Sequence, residues 1–151
     1  MSDDRPYFEG IEIGDTRSFG AYEVTEAEIV EFAGQYDPQP FHTDRDAAES
    51  SMFGGLVASG WHTAAMTMRM LVDNYLSQSR ALGAVGVDSL RWRQPVRPGE
   101  TLSVETEVVD KEPWGEGEGM GVIHSETTTK NEDGTTKMSF VGLVLFPMES
   151  P

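Results

Sequence analysis

The fold is constrained most by the separation of helical and strand-forming patterns along the chain. Residues 61–76 carry apolar side chains at helical spacing and few charges through residue 71, which predicts a helix with one wide apolar face that other elements must cover. After Gly83 the pattern predicts four strands, at residues 85–94, 102–109, 121–130 and 135–146. One long helix beside an antiparallel sheet predicts an α+β fold in which the sheet curls around the helix. The predicted apolar face consists of Trp61, Ala64, Ala65, Met68, Leu71, Val72 and Tyr75.

The first third of the chain predicts one more strand and two helices. Residues 16–24 form the strand, and Thr25 with Glu28 then matches a capping box, in which a hydroxyl and a carboxylate three residues later satisfy the first amides of a helix. A short second helix is expected near residues 44–49. Side chains at i, i+3, i+4 and i+7 predict one buried stripe on the first helix, namely Ile29, Phe32, Ala33 and Tyr36.

The size and composition of the chain favour a single domain over residues 1–151. No repeat or linker divides the 151 residues, and a domain of this length can bury a sizeable core. There is no cysteine, which excludes disulfides, thiolate nucleophiles and cysteine metal sites and suits a reducing compartment. Without a signal-like N-terminus or a long apolar run, we expect a cytoplasmic protein.

The charge of the chain limits its partners. A net charge of −15 repels nucleic-acid phosphates and anionic membranes at long range, so we expect neither as a partner. The acidic, glycine-rich run near Gly117 lacks the basic residue and hydroxyl of a phosphate-binding loop and is predicted to be a hairpin loop. A small-molecule ligand fits this composition better.

Asp37 and His42 are the candidate acid-base pair. They lie at the two ends of a segment that contains two prolines and directly follows the first helix, so neither can move far from the other. A carboxylate and an imidazole held together can exchange protons with a bound substrate near neutral pH. The spacing alone is also compatible with a turn-forming Asp and a structural His.

The surrounding motifs resemble those of the MaoC-like dehydratases, or (R)-specific enoyl-CoA hydratases. Residues 36–44 read YDPQPFHTD and are similar to the family motif D-x-N-P-x-H-x-D, which precedes F-G, here at Phe53, and a glycine at a helix start, here Gly60. Residues 14–15 and the helix entry at residues 24–25 resemble the family's N-terminal segment. Residues 94–102 resemble its P-V-x-P-G-D-x-L strand turn, so the resemblance covers nearly the whole chain.

The resemblance implies a hot-dog fold, with a five-stranded antiparallel sheet around a central helix, and activity on acyl thioesters of coenzyme A. It implies that Asp37 and His42 bind and activate water and that the Gly60 amide polarises the thioester carbonyl. The start of a helix, where free amides and the positive dipole end lie, suits that last role independently. The expected reaction interconverts trans-2-enoyl-CoA and (R)-3-hydroxyacyl-CoA without a cofactor.

Two positions depart from the family motif, and both lie near the residues expected to contact the substrate. Gln39 replaces the usual Asn, and Ser59 stands where many members have His, which affects loop hydrogen bonding and substrate preference. We expect Phe53, Ser59 and Trp61 to contact the substrate, and Trp61 to shorten or flatten the acyl pocket unless it is simply a core residue.

The arginines and the remaining histidines are the other candidates for binding sites. A cluster formed by Arg91, Arg93 and Arg97 is a candidate site for coenzyme A phosphates, although surface ion pairs would explain it equally. His62 and His124 are isolated, with no metal-ligand spacing, so no metal is expected. His62 neighbours the site but points about 100° away from Trp61 on the predicted helix.

Three functions remain open at this point. The first is a hydratase or dehydratase, the second is a hot-dog thioesterase, and the third is a non-catalytic acyl-CoA-binding partner subunit. The Asp-x4-His spacing favours the hydratase. A homodimer is expected, because a single hot-dog sheet of this length leaves one edge and one pocket wall open.

Overall fold

The computed structural model describes residues 3–150. Five strands form one antiparallel sheet, as predicted, and their order in the sheet is β1-β3-β4-β5-β2. The strands are β1 (Thr16–Glu23), β2 (Gly83–Trp92), β3 (Thr101–Trp114), β4 (Met120–Lys130) and β5 (Thr136–Pro147). The helices of the described residues are α1 (Glu26–Tyr36), α2 (Pro40–Thr43), α3 (Arg45–Glu49) and α4 (Gly60–Asn74), with 3-10 turns at Phe8–Gly10 and Leu76–Gln78.

The core lies between α4 and the sheet. Met66, Met70 and Leu71 of α4 belong to one buried cluster with Leu102 and Val104 of β3. Thr67 is also fully buried, and its hydroxyl lies 2.7 Å from that of Thr129 on β4. This pair ties the middle of the helix to the middle of the sheet. The arrangement of a sheet packed around a central helix is the hot-dog architecture that the sequence predicted.

The prediction that the apolar face of α4 is the buried one is largely wrong. The residues that α4 buries are His62, Thr63, Met66, Thr67, Met70 and Leu71. Of the predicted face only Leu71 is buried, whereas Trp61, Met68 and Val72 are exposed. The two threonines can be buried because their hydroxyls bond carbonyls one turn earlier in the helix, as where the Thr67 hydroxyl donates to the Thr63 carbonyl at 2.8 Å.

The predicted helix cap and the predicted hairpin loop are both confirmed. Thr25 caps α1 by accepting from the Glu28 amide, as the capping box predicted, and the acidic glycine run connects β3 to β4 as a hairpin. On α1, Ile29 and Ala33 are buried as expected, but Tyr36 is exposed. The segment predicted to be a loop after α1 contains the single-turn helix α2, which Pro40 can begin because the first helical residue needs no amide partner.

Exposed apolar side chains lie on β2 and on α4, and two of them border one groove. Val85 and Val87 of β2 and Met68 and Val72 of α4 are all exposed. Met68 and Val87 line one apolar groove of about 260 Å³ between the helix and the sheet. Because β2 is an end strand, its outer backbone groups have no neighbouring strand within the described chain. No helix within residues 3–150 is both long enough and apolar enough to cross a bilayer.

Candidate active site

Asp37 and His42 are brought together by the end of α1 and the single turn of α2. Asp37 terminates α1, its amide donating to the Ala33 carbonyl at 2.8 Å, and the chain then turns into α2, which carries His42. Nε2 of His42 lies 3.4 Å from Oδ2 of Asp37. The His42 side chain is 7% exposed and the Asp37 side chain 19%, so the pair faces a recess with limited access to water.

The hydrogen bond made by the other imidazole nitrogen fixes the tautomer of His42. Nδ1 lies 2.6 Å from the carbonyl oxygen of Val57, which can only accept, so Nδ1 carries the hydrogen. In the neutral ring Nε2 is then free to accept a proton on the side of Asp37. His42 is therefore oriented as a proton acceptor at one defined atom.

Asp37 is held as a carboxylate by two neutral donors. Ser59 Oγ donates to Oδ2 at 2.7 Å, and Gln39 Nε2 donates to Oδ1 at 2.7 Å. Burial works to raise the pKa of Asp37, but the hydrogen bonds from Ser59 and Gln39 and the charge of a protonated His42 outweigh it and lower the pKa below its ordinary value. Gln39 and Ser59, the two positions that depart from the family motif, thus both donate to the carboxylate of Asp37.

Gly60 begins α4 and lines the same recess. The first amides of a helix have no acceptor within the helix, and no hydrogen bond found within residues 3–150 uses the Gly60 amide. Ser59 is the N-cap and accepts from the Trp61 amide at 3.3 Å while donating to Asp37. One buried hydroxyl therefore connects the start of α4 to the carboxylate.

Trp92 of β2 covers the other side of Gly60. Its indole Nε1 donates to the Gly60 carbonyl at 2.9 Å, and a Cβ placed on Gly60 would lie 2.3 Å from the ring. Trp92 also contacts Trp61 edge to face, with ring centroids 5.1 Å apart. The close approach of this ring explains why a residue without a side chain stands at position 60.

Asp37, His42, Gly60 and Trp92 line one cavity of about 530 Å³, which is the size of a small-molecule site. Of the residues predicted from sequence, it brings together Asp37, His42, Phe53, Gly60, Trp61 and Arg93. Ser59, which was expected to contact the substrate, is fully buried and does not line this cavity. Trp61 is 58% exposed, so it stands at the rim and is not a core residue. Several residues that line the cavity were not predicted from the sequence, namely Phe41, Val57, Ala58, Thr63, Trp92, Gln94, Pro95 and Val96.

The structure does not bring the three arginines together at this cavity. Arg93 lines it and donates to the Ser139 hydroxyl at 3.2 Å. Arg97 instead donates to the Phe53 carbonyl at 2.7 Å and so supports the loop that carries Phe53. Arg91 does not line the cavity and donates to the neighbouring Leu90 carbonyl. Within the part of the chain that the structure describes, no three His, Asp or Glu side chains are grouped closely enough to hold a metal ion.

Comparison with known proteins identifies the family. The family model described as the MaoC like domain matches residues 10–132. The chain belongs to the MaoC-like domain family. The structure of a MaoC-like dehydratase from Rhodospirillum rubrum is 38% identical, with a TM-score of 0.87 over 97% of this chain and 99% of that one. Both the family and the hot-dog fold predicted from the sequence are therefore confirmed.

A further relative and a further solved structure are similar to this MaoC-like chain. An (R)-specific enoyl-CoA hydratase of Rhodospirillum rubrum is 31% identical over 109 residues, which are 71% of this chain and 72% of that protein. A Mycobacterium tuberculosis protein with a double hot-dog fold shares 17% identity and a TM-score of 0.75 over 96% of this chain and 45% of its own. At that identity the second comparison concerns the fold alone.

Proposed function

We propose that this MaoC-like protein is a hydratase or dehydratase that interconverts trans-2-enoyl-CoA and (R)-3-hydroxyacyl-CoA. The observation that carries the proposal is the convergence of Asp37, His42 and the helix-entry residue Gly60, whose amide has no partner within residues 3–150, on one cavity. The similarity to a relative named (R)-specific enoyl-CoA hydratase supports the substrate class. The reaction needs a proton acceptor for water and a donor for the thioester oxygen, and these groups supply both.

The geometry supports a role for each group. A water bound between Asp37 and Nε2 of His42 attacks C3 of the enoyl group, and its proton passes to Nε2. The lowered pKa of Asp37 makes its carboxylate the weaker base, so Asp37 orients the water and stabilises the imidazolium. Negative charge moves to the thioester oxygen, which accepts from the Gly60 amide. His42 then returns the proton to C2, which completes the addition of one water across the double bond.

An assay with crotonyl-CoA tests the proposal directly. Hydration removes the absorbance of the conjugated enoyl thioester, whereas hydrolysis releases a free thiol that a thiol reagent detects. We expect loss of enoyl absorbance without thiol release. Thiol release with an intact double bond would instead identify a thioesterase, and binding of acyl-CoA with neither reaction would identify a non-catalytic subunit.

Of the three arginines, only Arg93 retains the proposed contact with coenzyme A phosphates, because it lines the cavity. We predict that Arg93→Gln raises KM for crotonyl-CoA several-fold, changes kcat less, and makes KM less sensitive to added salt. Arg91→Gln is the matched control, since Arg91 is an exposed arginine outside the cavity. Equal KM values for the two variants would contradict the phosphate contact.

We also propose that the protein is a homodimer formed through the apolar surface of β2 and α4. The unpaired edge of β2 can pair with a second copy, and the exposed Val87 and Met68 border the same groove. A contiguous exposed apolar surface of this kind marks an interaction site. A second copy would satisfy the strand edge and cover the groove at once.

Light scattering tests the dimer. We expect twice the mass calculated for one chain at micromolar concentration. Val87→Arg should shift the protein toward the monomer, because it places a charge in the buried centre of the interface. Val109→Arg is the control, since Val109 is an exposed strand valine on β3, which lies inside the sheet and apart from the β2 edge. A monomeric wild-type protein with full activity would contradict the proposal.

A further inference from the structure

His62 forms a second polar cluster that the proposed reaction does not use. It is 3% exposed, and its Nε2 lies 3.1 Å from Oε1 of Glu28 on α1. The Tyr22 hydroxyl of β1 donates to the same carboxylate oxygen. Burial and the neighbouring Glu28 raise the pKa of Tyr22 to about 12, so Tyr22 remains a donor. The cluster lines its own cavity, apart from that of Asp37 and His42.

The second nitrogen of His62 makes the cluster unusual for a structural core. Nδ1 is buried and has no hydrogen-bond partner within the described residues. A buried polar atom without a partner costs free energy, which an apolar side chain of similar size would avoid. The histidine therefore requires an explanation beyond filling space, and its contacts with α1 supply one.

These contacts join α1, which ends at Asp37, to α4, which begins at Gly60. The His62 ring stacks on Phe32 of α1, with centroids 4.7 Å apart and planes 9° from parallel. Phe32 in turn contacts Tyr36, the last residue of α1 before Asp37, at 5.1 Å between centroids. On α4, His62 lies in the first turn, two residues after Gly60. The cluster thus attaches the first turn of α4 to the helix that ends at Asp37.

We propose that His62 is a positioning residue, which holds the Gly60 amide at a fixed distance from Asp37 by bonding and stacking α4 against α1. A second connection, from Ser59 to Asp37, lies within the site itself. Displacements of about 1 Å between reacting groups can cost on the order of 100-fold in rate, so two connections between the helices have a direct catalytic value. The inference rests on the proposed hydratase function.

Kinetics of three variants test the inference. His62→Leu removes the hydrogen bond and the stacking while filling the space, and we expect kcat for crotonyl-CoA to fall by about tenfold with KM nearly unchanged. His62→Gln keeps a donor for Glu28 and should recover most of kcat. Thr67→Val is the control, because it removes a buried hydrogen bond of α4 remote from Gly60 and should lower the melting temperature without lowering kcat.

A crystal structure of the His62→Leu protein separates this inference from the proposed function. We expect the distance from the Gly60 nitrogen to Asp37 Oδ2 to change relative to the wild type, whatever reaction the protein catalyses. An unchanged distance, or a His62→Leu kcat equal to that of the wild type, would overturn the positioning role. A wild type that does not hydrate crotonyl-CoA would instead overturn the hydratase function, and the crystallographic distance would still decide the role of His62.

Discussion

Replacing Asp37 by Asn or His42 by Ala should reduce crotonyl-CoA hydration by a factor on the order of 10² to 10⁴ while leaving the protein folded. This is the usual cost of losing one member of a general acid-base pair. Without Nε2 of His42 no side chain receives the proton of the attacking water. Without the Asp37 carboxylate, which lies 3.4 Å from Nε2, neither the water nor the imidazolium is stabilised. Loss of enoyl absorbance measures the rate, and circular dichroism checks the fold.

Matched controls distinguish a catalytic role from a general effect of charge or of histidine removal. Asp46→Asn changes an exposed carboxylate on the nearby helix α3, and His124→Ala removes a histidine on β4 that is bonded to Glu112. Both should retain activity. Because the proposed mechanism has Asp37 and His42 act on one water, the double variant should be little slower than the slower single variant. Multiplicative effects, or single variants with wild-type rates, would contradict the assignment.

The second large effect concerns the amide of Gly60. Gly60→Pro removes this donor, and proline is tolerated at the first position of a helix. Ser59, at φ −56° and ψ 142°, already has a conformation compatible with a following proline. Removing one donor of an oxyanion site typically lowers kcat by about 10² to 10³. We expect a loss of that size in steady-state kinetics.

Gly60→Ala is the control that isolates the amide. Both substitutions introduce a Cβ that must displace the Trp92 ring, but alanine keeps the N–H group. The ratio of the two kcat values therefore measures the contribution of the donor, separate from the movement of Trp92. If proline and alanine variants have similar kcat, the Gly60 amide does not stabilise the thioester oxygen.

The local parts of the site could be predicted from the sequence because short segments determine them. The prolines between Asp37 and His42 limit the backbone, and the capping signal at Thr25 sets where α1 begins. Trp92 could not be predicted in this way, because it reaches Gly60 from a strand 32 residues later. The carbonyl of Val57, which fixes the tautomer of His42, likewise carries no signal in its residue type.

The prediction of which face of α4 is buried was wrong for a physical reason. Hydropathy assigns threonine and histidine to the surface, but Thr63, Thr67 and His62 are buried because each makes a hydrogen bond within the fold. The apolar residues Met68 and Val72 were assigned to the core but are exposed, and Met68 borders the groove beside β2. The apolar periodicity of a helix predicts a face that packs against other elements, but it does not tell whether those elements belong to the same chain.

The bond from His42 to the Val57 carbonyl has a stereochemical consequence for the proposed reaction. With Nδ1 bonded to Val57, the proposed proton uptake and proton return both pass through Nε2. Both would then occur on one side of the planar enoyl group, the side on which the proposed water lies between Nε2 and Asp37. Oxygen at C3 and hydrogen at C2 are then delivered to the same face, which is a syn addition. In deuterium oxide the deuterium at C2 and the new hydroxyl at C3 would carry the matching relative configuration, and dehydration would remove that same deuterium.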